Sequence, residues 1–223
     1  RKSNSNHKNR FSGVIIMRKN AGYQNKTGKT IQSFIVIMAI VFLYLSVSSG
    51  AAFGQSVARI RVQMPIGPIA ARVISEAVDR AYEEEQELLI IELDTPGGLD
   101  KSMRIICRKL LNTDQPTAVY VAPSGARAAS AGLFITYAAH IAAMAPGTNI
   151  GAAHVVQMGG QIDSVMSKKV QNDAVAYITA IAKKRDRNIE WATKAVLESK
   201  SIDAEEAVDS NIVDYLASSV TEL

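Results

Sequence analysis

One cysteine, Cys107, is all the chain has, so no intrachain disulfide can staple it. It falls at an apolar position of a helical pattern, which predicts a small buried hydrophobe and not a reactive thiol. Aromatic residues make up only 6%, with a single tryptophan. Beyond residue 33 no stripe of Lys and Arg interleaves with aromatics, which argues against nucleic-acid binding. Acidic residues are missing from residues 1–33, which hold eight Lys/Arg. The formal net charge of +4 therefore belongs to that stretch, and the remainder carries 17 basic against 21 acidic side chains, a net of −4. No internal repeat or low-complexity segment occurs. What is present is an apolar fraction of 48% in two distinct periodicities, the signature of a globular core.

The longest uncharged apolar run is Phe34 to Val47, short for a spanning helix of about 20 residues and normal for the apolar region of a signal sequence. Basic residues precede it. Small residues follow, with Ala52 and Gly54 placed for cleavage before Gln55. Residues 1–54 therefore read as a basic leader, signal peptide or anchor, and Met17 begins a tidier version of it. Residues 55–223 read as one exported domain, on the extracytoplasmic side of a membrane, or periplasmic if the leader is cleaved. The stretch Gly22 to Thr30 imitates a phosphate loop. It has one residue too many between its glycines and no preceding strand, so nucleotide binding is not expected there.

Along the exported part, Val57–Met64 alternates as a strand and Ile69–Glu85 is amphipathic. Leu88–Leu93 and Thr117–Val121 are apolar runs of buried-strand type. Helices are expected at Leu99–Leu111, Ala128–Ala138, Ser164–Lys184, Glu190–Glu198 and Ala204–Val208. Short strands are expected at Ile141–Met144, Asn149–Ala152 and Ile212–Leu216, and a polar loop at Val155–Asp163. This alternation predicts an α/β fold with right-handed crossovers.

Two loops stand out. Gly125-Ala126-Arg127-Ala128-Ala129-Ser130-Ala131-Gly132 sets a serine among residues too small to shield it, ahead of a helical pattern. Asp94-Thr95-Pro96-Gly97-Gly98 follows a buried strand and frees backbone N–H groups. If the two strands are neighbours, both loops face one cleft, as ligand loops do in open α/β sheets. Ser130 then opens its helix, and the amides of Gly98, Gly97 and Ala131 are candidate oxyanion donors. The competing explanation for Ser130 is tight packing, since the run is one residue off the nucleophile-elbow pattern. For a base, His140 ends a helix and is expected to cap or pack, whereas His154 begins the 155–163 loop and can approach the cleft. The alternative is a lysine kept neutral by apolar surroundings. On the Ser164–Lys184 helix, Lys169 lies near the edge of the apolar stripe of Met166, Val170, Ala174, Tyr177, Ile178 and Ile181, and Lys168 lies opposite it. A bland alternative for Lys169 is an ion pair with Asp173 four residues on.

Four stretches together resemble one family over some 165 residues. They are Glu92 to Gly98, Pro123 to Gly132, Met144-Ala145-Pro146-Gly147-Thr148-Asn149-Ile150-Gly151-Ala152-Ala153-His154, and Lys169 to Ala174. In this order they are similar to the N-terminal protease domain of the NfeD family, membrane-bound serine proteases paired with stomatin-like proteins. The resemblance implies the Clp protease/crotonase fold of repeated ββα units. It implies a Ser-Lys dyad at Ser130 and Lys169, no metal or other cofactor, and membrane-linked substrates with apolar segments. A stomatin-like membrane protein is the implied partner. A homo-oligomer, dimer or higher, is expected. His154 stands where related Clp proteases carry their histidine, which keeps it as the rival base. Longer family members continue into membrane helices and a small β-barrel domain, so a chain ending at Leu223 is a short form or a fragment.

The leading expectation is thus an exported serine endopeptidase. Two alternatives are a catalytically silent assembly partner of a stomatin-like protein and a crotonase-type acyl-thioester enzyme. The last needs cytoplasmic coenzyme A, which the leader argues against.

Overall fold

The computed structural model describes residues 31–40, 42, 56–154 and 164–223, and the chain divides into two units, Arg1–Ala52 and Phe53–Leu223. In the first unit, residues 31–40 are helical with exposed side chains. Among the described residues no helix is long and apolar enough to cross a membrane. The phosphate-loop imitation, the Gln55 cleavage point and the Val155–Asp163 loop lie outside the described residues.

The second unit is built on a five-stranded parallel sheet, order β1-β2-β3-β5-β8. Its strands are β1 (Val57–Gln63), β2 (Leu88–Asp94), β3 (Thr117–Val121), β5 (Ile141–Met144) and β8 (Tyr215–Leu216). A second sheet holds β4 (Arg127–Ala129), β6 (Asn149–Gly151) and β7 (Ser201–Asp203), with β6 and β7 antiparallel. The helices are α1 (Pro68–Glu83), α2 (Asp100–Asn112), α3 (Ala131–Ala138), α4 (Ser164–Lys184), α5 (Ile189–Leu197) and α6 (Ala204–Asp209).

The side-chain period of two sorts the main sheet into two faces. Ile60, Ile91, Val119 and Ala142 are register partners in turn across four strands, on the face that meets the helices. There they join Ile74 and Val78 of α1, Ile106, Cys107 and Leu110 of α2, Leu133 and Ile135 of α3, and Ile178 and Ile181 of α4. Each fully buried aliphatic side chain of this kind contributes about 1.5–3 kcal/mol. Cys107 is fully buried, as expected. The opposite face carries the next row: Arg61, Glu92, Tyr120, Ala143 and Tyr215. A small second core of Ile90, Ala118, Tyr120, Ala122, Ala143, Ala145 and Ala217 covers part of it.

Two isolated parallel bridges, Ile66 with Gly98 and Thr95 with Ala128, extend the second sheet toward the ends of β1 and β2. β1, β2, β3 and β5 are thus each followed by a short second-sheet segment and, for β1, β2 and β3, directly by a helix. This is the ββα repetition that the motifs imply.

Two expectations are corrected. Residues 127–129 are strand, and α3 begins only at Ala131, because the backbone here is claimed by Thr95 and Asn149 on either side. The last strand is only Tyr215–Leu216: Ile212 and Val213 are instead turned into the core beneath α6.

Candidate active site

β2 and β3 are neighbours, so the two glycine-containing loops emerge side by side. They are then sewn together: Thr95 N–H donates to Arg127 O at 2.8 Å, and Ala129 N–H to Thr95 O at 3.1 Å. Asp94 accepts from the Arg127 N–H at 3.1 Å. Thr95 is fully buried, and its Oγ1 accepts from Gly97 N–H at 3.1 Å while lying 3.2 Å from Gly97 O. This threonine closes the cradle turn. The Thr-Pro-Gly spelling, a turn signature with a side-chain acceptor, was its available sequence signal.

Ser130 occupies the single residue between β4 and α3, with φ 52° and ψ −110°. A non-glycine residue there is strained, at a cost on the order of 1–3 kcal/mol. The surroundings hold it. Ser130 N–H donates to Gly151 O at 2.9 Å, and Ser130 O accepts from Leu133 N–H at 3.1 Å. The serine is therefore not within the helix but at a sharp strand-to-helix turn, the geometry that exposes a nucleophile in the elbow motif. Among the described residues its hydroxyl makes no hydrogen bond to either candidate base.

Gly97 and Gly98 pack where no side chain fits. A Cβ on Gly97 would stand 2.7 Å from Ser130 Cβ and 3.2 Å from its Oγ, and φ there is +110°. A Cβ on Gly98 would meet Ile66 O at 2.1 Å. Ile66 N–H donates to Gly97 O and Leu99 N–H to Ile66 O, so the Gly98 N–H and C=O face away from that bridge. The Gly97 amide, a candidate donor by sequence, is instead given to Thr95. Ala131 is the first residue of α3, where the N–H has no preceding helical carbonyl. Among the described residues the donors left free beside Ser130 are thus Gly98 and Ala131.

Neither base is assembled on the serine. Lys168 and Lys169 are both exposed, as are Val165 and Met166, and α4 presents its first buried side chain only at Ala174. The stripe that places Lys169 at a buried edge starts too late along the helix for that. Nor does Lys169 pair with Asp173, which is bound by Arg104 at 2.5 Å. His154 is exposed, with Nδ1 3.3 Å from Val196 O. A carbonyl only accepts, so that contact puts the neutral ring's proton on Nδ1 and leaves Nε2 as the acceptor. His140 packs as expected, its Nδ1 2.9 Å from Thr117 Oγ1. Among the described residues no cluster of His, Cys, Asp or Glu could hold a metal.

Comparison with known proteins follows the same outline. Residues 56–222 match the family model "NfeD1b, N-terminal domain". The chain is 37% identical over 145 residues to the membrane-bound protease PH1510 of Pyrococcus horikoshii, covering 64% of this chain. It is 30% identical over 152 residues to the membrane protein NfeD1b of Bacillus subtilis, covering 68% of this chain. In both cases the match spans 33% of the relative's length. Among solved structures, a lysine-to-alanine variant of the 1510-N membrane-bound stomatin-specific protease, bound to a substrate peptide, superposes with a TM-score of 0.71. It is 30% identical and covers 75% of this chain and 78% of its own. A serine-to-alanine variant of the same protease gives 0.70 at 31%, covering 75% and 82%. ClpP1 from Listeria monocytogenes, at 18% identity, 73% and 92% coverage and a TM-score of 0.59, shares the Clp protease-like fold. With three-quarters of its length under the family model, and with these relatives, the chain belongs to the NfeD family through an NfeD1b-type N-terminal domain.

Proposed function

We propose that residues 55–223 form a serine endopeptidase with Ser130 as nucleophile. The observation that carries this is the Ser130 backbone: a strained serine at a strand-to-helix turn, backed by Gly97, beside the amides of Gly98 and Ala131. Ser130 Oγ attacks the peptide carbonyl carbon and passes its proton to Lys169 Nζ. The oxyanion takes the Gly98 and Ala131 N–H groups, each donor being worth on the order of 10²–10³ in rate. Collapse breaks the C–N bond, and the lysine returns the proton to the leaving amine. Water then hydrolyses the acyl-serine with the same base.

Lys169 is supported by the relatives: the serine and the lysine replaced in the 1510-N variants stand 41 residues apart, against 39 for Ser130 and Lys169. Completing the dyad requires the exposed start of α4 to be brought over Ser130, as assembly of a homo-oligomer would do. The second reading makes His154 the base. Its favouring observation is the Nδ1 contact to Val196 O, which leaves Nε2 ready to accept.

The relatives' names, a membrane-bound protease and a stomatin-specific one, support apolar segments of membrane-linked, stomatin-like proteins as substrates. They also support action at a membrane, with residues 1–54 as the exporting leader or anchor. The test is cleavage of an apolar-rich peptide by the purified chain. Ser130→Ala abolishes it if this reading holds. Turnover of an acyl-coenzyme A that survives Ser130→Ala points to the crotonase-type alternative. Binding of a stomatin-like protein without cleavage by any form points to the silent partner.

A further inference from the structure

The sequence motifs are only half used by the Ser130 site. Glu92 begins the first motif, yet it points to the opposite face of the main sheet. It is buried there, with its carboxylate held between Arg59 and Arg61 of β1. Pro123 and Ser124 open the second motif, and Ala145 and Pro146 stand in the third. These residues line one cavity with Glu92, of about 640 Å³, within the usual size of a small-molecule site. The two turns are clasped by Gly125 N–H to Gly147 O at 3.0 Å. Tyr120 forms part of the wall, its hydroxyl fixed to Ala217 O at 2.7 Å, and Ser218 to Thr221 close the far side.

The Glu92 carboxylate, with side-chain exposure of 5%, faces two guanidiniums exposed by 46% and 57%, while the Glu222 carboxylate near Tyr120 is engaged by the Ser218 N–H at 2.7 Å. Glu92 Oε2 takes only the Nε of Arg61, at 2.8 Å, and Oε1 contacts one terminal nitrogen of Arg59. Each arginine has five N–H donors in a rigid fork, so most of them are left unused by Glu92. A buried carboxylate that orients two arginines without neutralising both makes a preorganised anion receptor, and the serine and threonine hydroxyls of residues 218–221 add donors around it.

We propose that this back-face cavity binds an oxyanion of phosphate type through Arg59 and Arg61, with Glu92 as the residue that positions them. Whether the phosphate comes as a soluble ester or as a lipid headgroup is decided by the arms of the test. The site is independent of the endopeptidase reading, since it lies on the other face of the sheet.

The experiment is calorimetric titration of the full chain with inorganic phosphate, against chloride at matched ionic strength. Phosphate-specific binding is expected, weakened about tenfold or more in the Arg59→Gln/Arg61→Gln variant. Gln63→Glu adds a negative charge at an exposed position on the cavity rim and is expected to weaken binding without disturbing the fold. Glu92→Gln removes the carboxylate that orients both guanidiniums and is expected to weaken binding as well. Ser130→Ala is expected to bind as the parent does. In the lipid arm, flotation with phosphatidylcholine vesicles with and without phosphatidylglycerol is compared between the parent and Gln63→Glu. A difference confined to the anionic vesicles assigns the headgroup as source, and equal flotation with phosphate binding intact assigns a soluble ester. No phosphate-specific heat in the parent, or equal affinity in parent and Gln63→Glu, overturns the proposal.

Discussion

Gly97 backs directly onto Ser130. A methyl group on its Cα would stand 2.7 Å from the serine Cβ, closer than real Cβ contacts come, and the glycine's φ of +110° is itself closed to other residues. The glycine of one loop therefore sets where the hydroxyl of the other loop can be. Gly97→Ala is expected to lower kcat for peptide cleavage by about a hundredfold, as displacing a nucleophile by about 1 Å does, and to destabilise the fold by about 1–3 kcal/mol. Kinetics and a denaturant melt on the same sample check both. Unchanged kcat means the cleft is not the catalytic one.

The base is decided by a pair of substitutions. On the Ser-Lys reading, Lys169→Ala nearly abolishes cleavage of an apolar peptide and His154→Ala keeps most of it. The acid limb of the pH–rate profile then persists in His154→Ala. The reverse pattern assigns the base to His154, whose Nδ1 already contacts the Val196 carbonyl. Both side chains are exposed, so neither substitution is expected to shift the melting temperature by more than a degree or two.

The fold was legible wherever apolar runs are long enough to show a period. Thr117–Val121, Ile141–Met144 and Ser164–Lys184 occur with the expected limits. Three-residue strands have no period to show, so β4 was absorbed into a helix and β7 was missed. At the site, Ser130 and the glycine pair were legible because small residues and glycines are spelled out in sequence. Thr95 was not singled out, because its role depends on where its hydroxyl meets the Gly97 amide. Lys169 is exposed where the apolar stripe implies a buried edge, because periodicity gives the face of a helix but not where along its length the core begins.

His140 gives a pH dependence. Burial lowers its pKa first, and the cations Arg185, Lys184 and Arg187 add to this; Thr117 holds its Nδ1. The folded protein therefore binds a proton at this ring less readily than the unfolded chain, whose histidine titrates near the ordinary value of about 6.5. The stabilising contribution is present above that value and is lost as pH falls from there toward the lower folded pKa. Denaturant midpoints measured from about pH 7.5 to 5 are expected to fall in the parent and to fall less in His140→Gln. Parallel slopes would reject the assignment.

The C-terminal end of α3 is held by arginines as firmly as its N-terminal end is held by Gly151. Arg185 donates to Ala138 O at 2.9 Å and Leu110 O at 2.8 Å. Arg187 donates to Tyr137 O and Ala139 O at 3.3 Å, and pairs with Asp214 at 2.6 Å. Asp214 also accepts from Ala142 N–H at 2.7 Å, so one ion pair ties α3, β5 and the C-terminal segment. Cations also suit a helix C-terminus electrostatically. With side-chain exposures of 2% for Arg187 and 32% for Asp214, the aspartate can be rehydrated when unpaired but the guanidinium cannot. Removing Asp214 therefore strands a buried charge, and Asp214→Leu is expected to cost about 3–5 kcal/mol. At about 2–4 °C per kcal/mol for a domain of this size, the melting temperature drops on the order of 10 °C. Arg187→Met with Asp214→Leu removes both charges and is expected to recover part of that loss, because replacing both partners of a buried pair is often near neutral. A double variant no more stable than Asp214→Leu alone would show that the hydrogen bonds to the α3 carbonyls, and not charge compensation, are what the pair supplies.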